Sequence, residues 1–118
     1  MHKKIAVIGL GYVGLPLLFE FSKFFKITGY DINKNLIKYL KKNIDNKNFY
    51  SQNELRNCKA RFTNNSSDLK NHEIFIITVP TPVKMNKKPD LEPLISSTKL
   101  ICKYIKKMIL LFMKALCT

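Results

Sequence analysis

The stretch Lys-Ile-Ala-Val-Ile-Gly-Leu-Gly-Tyr-Val-Gly at residues 4–14 decides the fold. Residues 5–8 form a short apolar run rich in β-branched side chains, the pattern of a strand buried on both faces of a parallel sheet. The run leads straight into Gly9, Gly11 and Gly14, at the G-x-G-x-x-G spacing. In such a turn the first glycine permits the sharp exit from the strand. The second lets the backbone come within contact of a pyrophosphate, and the third lets the following helix pack closely on the strand. Free N–H groups at the start of that helix favour negative charge. Gly9, Gly11 and Gly14, with Leu10, Tyr12 and Val13 between them, are therefore candidate cofactor-binding residues.

Glycines also collect in ordinary turns, so the surroundings of the motif carry the argument. A strand precedes it, a helix follows, and Asp31 closes a second apolar segment twenty-two residues after Gly9. That is near the separation of about 20 at which an acidic residue takes the hydroxyl pair of a dinucleotide ribose. No Arg sits just after Asp31 to receive a 2′-phosphate, which favours NAD over NADP. Lys34, three residues beyond Asp31, is placed to help hold the adenosine end. The alternative is a flavodoxin-like or other α/β turn that binds no dinucleotide.

The rest of the chain fits alternating strands and helices. Residues 15–25 read as a first helix with Pro16 in its first turn, and Leu17, Leu18, Phe21, Phe24 and Phe25 read as core. Residues 27–30 are a second strand. Asn33 is a plausible cap for a helix ending near Asn43, with Leu36, Ile37 and Leu40 on its buried face. Residues 44–57 are polar and irregular, read as a loop with a helical turn around Glu54 and Leu55. A short strand at 59–63, a helical turn at 67–71 opened by Ser66 or Ser67, and a buried strand at 73–79 follow. His72 reads as a solvent-facing turn residue rather than a base, since no nucleophile candidate lies beside it. Pro80 and Pro82 end the strand in a rigid loop at the carboxyl edge of the sheet, where Thr81 either meets the cofactor or merely belongs to a strand terminator. Residues 90–106 form a last amphipathic helix with Leu94, Ile95, Leu100, Ile101, Tyr104 and Ile105 as its apolar positions.

The 118 residues suffice for one domain or part of one, less than a two-domain dehydrogenase. A net charge of +13, from 21 Lys and Arg against 8 Asp and Glu, suits a phosphate-bearing partner. The lysines are scattered among asparagines, however, which is the pattern of a solvated surface and not of a nucleic-acid-binding patch. Aromatic residues interleaved with basic ones on a sheet face, which would suit single-stranded nucleic acid, are not found. Cys58, Cys102 and Cys117 are odd in number and lack C-x-x-C spacing, so neither a zinc site nor a disulfide framework is indicated and a reducing cytoplasm fits best. The apolar tail is too short to span a membrane and is interrupted by Lys114.

Three segments together resemble the nucleotide-sugar dehydrogenase family, which includes the UDP-glucose and UDP-N-acetylhexosamine 6-dehydrogenases. They are residues 4–17, Gly-Tyr-Asp-Ile-Asn-Lys at 29–34, and Ile-Ile-Thr-Val-Pro-Thr-Pro at 76–82 followed by Pro-Asp-Leu at 89–91. The resemblance implies a Rossmann-type parallel sheet with flanking helices over residues 1–107, incomplete at its C-terminus. It implies NAD as cofactor, with the glycines at the pyrophosphate, Asp31 at the adenosine ribose and Thr81 near the cofactor. It also implies a UDP-sugar substrate and a homo-oligomer for the full-length enzyme; the residues themselves point to no nucleic-acid or membrane partner. The family oxidises a sugar C6 alcohol to a carboxylate in two steps, with two NAD and a thioester on a cysteine. That cysteine lies beyond position 118 in the family, so this chain alone is expected to be inactive. A free-standing nucleotide-binding module without catalysis is the competing possibility.

The resemblance stops after Lys107, where the family has a core strand ending in Glu-Ser-Thr. A family-like continuation, Lys-Lys-Asn-Asp-Ile-Val-Ile-Tyr-Glu-Ser-Thr-Val-Tyr-Pro, can be back-translated with suitable synonymous codons so that loss of one A from its opening run gives the observed residues 106–118. Residues 108–118 are accordingly expected to be a frameshifted tail, with the sheet left open at that edge.

Overall fold

The computed structural model describes residues 4–80 and 82–104. Thr81, Ile105 and the whole expected tail lie outside the described residues. Strands β1 (Lys4–Ile8), β2 (Lys26–Tyr30), β3 (Arg61–Thr63) and β4 (Ile74–Ile77) form a single parallel sheet in the order β3-β2-β1-β4. Helices α1 (Gly14–Phe21), α2 (Lys34–Lys41), α3 (Gln52–Asn57) and α4 (Glu92–Ile101) connect or follow the strands. This is the Rossmann arrangement, with β1 central and the chain crossing to β4 at the switch point beside it.

The period of two along each strand distributes the core between two layers. Ile5, Val7, Ile27 and Ile76 share a cluster with Leu15 and Leu18 of α1, Leu36, Ile37 and Leu40 of α2, and Leu55 of α3. Ala6, Ile8, Tyr30, Phe75 and Ile77 form the opposite cluster with Leu69 and Ile101. Asn33 caps α2 as expected, accepting from the N–H groups of Asn35 and Leu36.

Several local expectations are corrected. Helix α1 ends at Phe21 and turns through residues 22–25, leaving Phe24 at 72% and Phe25 at 43% exposure instead of in the core. The irregular segment contains a true helix, α3, opened by a reciprocal capping box between Ser51 and Glu54. Asn65, not Ser66 or Ser67, caps the 3-10 turn Ser66–Leu69. Helix α4 begins two residues later than expected, and Ile95 is 43% exposed.

His72 is buried, contrary to its reading as a solvent-facing residue. Its Nδ1 lies 3.0 and 3.1 Å from the carbonyl oxygens of Leu69 and Lys70, and its Nε2 lies 2.9 Å from the Thr28 hydroxyl. Carbonyls only accept, so the ring proton sits on Nδ1 and the Thr28 hydroxyl donates to Nε2. Burial pushes the His72 pKa below its ordinary value; the two carbonyls pull it upward, while Lys4 and Arg61 add to the lowering.

Candidate dinucleotide site

The site lies at the carboxyl ends of β1, β2 and β4. Gly9 leaves β1 with φ of +98°, and its N–H donates to the Tyr30 carbonyl at 2.8 Å, extending the β1–β2 ladder by one rung. An added Cβ on Gly14 would lie 1.8 Å from the Gly9 carbonyl oxygen and 2.4 Å from Thr78 Oγ1, so only glycine lets α1 start there. At Gly11 the same Cβ would meet nothing within 4 Å. The protein therefore gives no packing reason for glycine at this position. Open space before the backbone is what a pyrophosphate would need.

Leu10 contributes through its backbone: its side chain is fully buried, and its N–H donates to Asp31 Oδ2 at 2.8 Å. The other carboxylate oxygen accepts from Asn33 N–H at 2.9 Å. Asp31 thus ties the glycine turn to the entry of α2, while each carboxylate oxygen retains lone pairs for a ligand hydroxyl. Its negative charge also raises the Tyr30 pKa, a smaller effect there than burial.

Thr78, buried at the end of β4, donates from Oγ1 to the Gly9 carbonyl at 2.6 Å, and its N–H donates to the Ile8 carbonyl at 2.8 Å. Sequence reasoning missed this clamp, because a threonine following an apolar strand has no distinctive spacing. Helix α1 starts without a side-chain cap; Leu15 N–H donates to the Gly11 carbonyl at 3.2 Å and Pro16 has no N–H, so the Gly14 N–H is the one in this first turn left to an anion.

These elements enclose a cleft of about 580 Å³. Gly9, Leu10, Gly11 and Asp31 line one wall; Ile32, Val79, Pro80, Pro93 and Leu100 supply apolar surface. Ile32 is 81% exposed, an apolar side chain held open beside the carboxylate. Asp90, Glu92, Ser96 and Ser97 complete the wall made by α4 and the loop before it. Lys34 is exposed in the first turn of α2 and outside the cleft lining; the lysine that lines it is Lys47. Tyr12 is 74% exposed above the turn, and neither Tyr12 nor Val13 lines the cleft. Thr81 lies outside the described residues. Cys58 lies in a separate hollow with Phe19 and Ser22, and Cys102 is exposed after α4, so neither thiol belongs to the cleft.

The sheet order, the glycine turn and the acidic residue bonded to it define a dinucleotide-binding Rossmann domain. Residues 3–116 match the UDP-glucose/GDP-mannose dehydrogenase family, NAD binding domain, and the chain belongs to this family. It is 45% identical over 105 residues to protein CapL of Staphylococcus aureus, covering 89% of this chain and 25% of that protein. It is also 45% identical over 105 residues to the UDP-N-acetyl-D-glucosamine 6-dehydrogenase of Pseudomonas aeruginosa, covering 88% of this chain and 25% of that protein. The solved structure of a UDP-D-ManNAc dehydrogenase from Pyrococcus horikoshii superposes with a TM-score of 0.81 at 29% identity, covering 91% of this chain and 28% of that one. The chain spans about a quarter of the length of the curated relatives it matches. Among the described residues no helix is long and apolar enough to cross a membrane.

Proposed function

We propose that this chain is the NAD-holding part of a cytoplasmic, NAD-dependent UDP-sugar 6-dehydrogenase. The observation that carries the placement of the cofactor is the bond from Leu10 N–H to Asp31 Oδ2. It brings the glycine turn and the acidic residue, distant in sequence, to one rim of the cleft. NAD supplies the hydride acceptor. The pyrophosphate lies over Gly11 and the open first turn of α1, and Asp31 receives the adenosine ribose hydroxyls. Ile32 and Pro93 offer apolar surface to the base. By family resemblance Lys34 and Thr81 complete the cofactor contacts, and the homo-oligomeric full-length enzyme receives a UDP-sugar.

Calorimetric titration with NAD tests the placement. Asp31→Ala removes hydrogen bonds to a charged acceptor, worth about 1.5 to 3 kcal/mol, and also releases the glycine turn. Affinity should fall by about tenfold or more. Gly11→Ala should leave the melting temperature unchanged, since its Cβ meets open space, yet weaken NAD binding. Equal NAD affinity in wild type and Asp31→Ala would sink the assignment.

By family resemblance the nucleophile for sugar oxidation lies beyond position 118 and is none of Cys58, Cys102 and Cys117; neither described cysteine lines the cleft. NADH formation from UDP-glucose or UDP-N-acetylglucosamine by the purified chain, above a mock preparation, would contradict that and favour a complete active site here. The frame slip after Lys107 is a separate proposal. Resequencing the locus in independent isolates tests it, and an A run that keeps the present frame throughout would refute it.

A further inference from the structure

The loop after α2 carries a feature that the glycine turn and Asp31 do not account for. Asp45 is buried and accepts three backbone N–H bonds, from Lys47 at 2.9 Å through Oδ1 and from Phe49 and Tyr50 at 2.8 and 3.0 Å through Oδ2. This wraps residues 45–50 around one carboxylate and fixes the path of the loop. Tyr50 is anchored further by stacking on Phe19 of α1, with ring centroids 3.9 Å apart. The anchored loop presents two side chains to the glycine turn. Phe49 packs edge-on against Tyr12 at 5.5 Å, and Lys47 Nζ stands 5.7 Å from the centroid of the Tyr12 ring.

Lys47 is also the lone cation among the described residues that line the cleft, where Asp31, Asp90 and Glu92 supply three carboxylates. Neither ion pair among the described residues, Lys23 with Glu20 or Arg61 with Asp68, engages it. A cleft with this balance would repel a dinucleotide carrying a doubly negative pyrophosphate unless a cation offset the carboxylates. Contact with an exposed ring is weak enough to exchange for a phosphate oxygen.

From this placement we infer that Lys47 is a phosphate-binding residue of the dinucleotide site, turning from the Tyr12 ring to the pyrophosphate when the cofactor enters. The inference rests on the proposed seating of NAD at the glycine turn. Asp45 is its positioning residue: the carboxylate holds the loop so that a flexible lysine reaches the Tyr12 ring at the glycine turn.

Calorimetry on the full chain with NAD, ADP and adenosine, at low and at physiological salt, tests it. Lys47 is half-buried at the surface and its substitution opens no cavity, so Lys47→Gln should melt with the wild type. Lys47→Gln should lose about tenfold in affinity for NAD and ADP and nothing for adenosine. Its ADP affinity should also depend less on salt than that of the wild type, because screening acts on the lost charge pair. Lys47→Arg should restore most of the ADP preference. An unchanged ratio of ADP to adenosine affinity in Lys47→Gln, with NAD still bound, would overturn the role of Lys47 alone. Failure of the wild type to bind NAD or ADP at all would overturn the seating of the cofactor, and this role with it.

Discussion

On one face of the sheet Ile5, Val7, Ile27 and Ile76 lie under three helices; on the other, Ala6, Ile8, Phe75 and Ile77 meet the 3-10 turn and α4, whose sole buried residue within the helix is Ile101. The first face is closed tightly. Gly29 is the reason α1 can approach, because a Cβ there would fall 2.5 Å from Leu18 Cδ1 and 2.9 Å from Leu10 Cδ2. Among the described residues the second face is covered more thinly, and part of it is polar: Thr28 and His72 bond to each other beneath the sheet. The cleft lies between these regimes, with the glycine turn built on the firm face and Pro93, Ser96, Ser97 and Leu100 contributed by the lightly held helix. Segments with few buried apolar contacts open most readily, and among the described residues α4 buries fewer side chains than α1 or α2.

The sharpest break in this comparison would come from Leu18. It is fully buried between α1 and the sheet, and Leu18→Ala should cost about 3 to 5 kcal/mol in urea unfolding. A loss no larger than that from the corresponding change on α4 would mean the faces are equally firm. Next in size is Gly29→Ala. The neighbouring leucine ends are themselves buried and have little room to retreat, so overpacking should cost about 1 to 3 kcal/mol, read from the same denaturant midpoints. Leu94→Ala, on the half-buried face of α4, should cost only about 1 kcal/mol.

The smallest expected effect sharpens the polar part of the second face. The folded-state pKa of His72 is lowered by burial, so its stabilising contribution is fully present above the unfolded value of about 6.5 and is lost as pH falls toward the folded value. A single proton limits the slope to about 1.4 kcal/mol per pH unit. Denaturation between pH 8 and 5 should therefore show a shallower loss of stability in His72→Gln than in wild type. Parallel curves would show that His72 does not differ between the folded and unfolded chains.

How much was legible differs from residue to residue for physical reasons. Asn33 announced itself as a cap, and Leu36, Ile37 and Leu40 as a buried stripe, because capping and helical period are local properties. The helix at Gln52–Asn57 carried an equally local signal in Ser51 and Glu54, which was readable but obscured by polar surroundings. Phe24 and Phe25 misled because apolar character alone does not say where a helix stops. His72 misled because burial of a polar ring depends on a partner, Thr28, forty-four positions away.

The sequence by itself determined the strand, turn and helix that begin the fold, the dinucleotide spacing from Gly9 to Asp31, and the family, since each rests on short-range chemistry: β-branched runs, glycine conformations and capping. Only the tertiary structure decided that Asp31 bonds the glycine turn, that Thr78 clamps it from β4, and that Lys47 and not Lys34 lines the cleft. Those relations are set by which strand ends lie side by side in the order β3-β2-β1-β4 and by how a buried Asp45 folds a loop back on the turn. Packing fixes such distances, and no spacing along the chain encodes them.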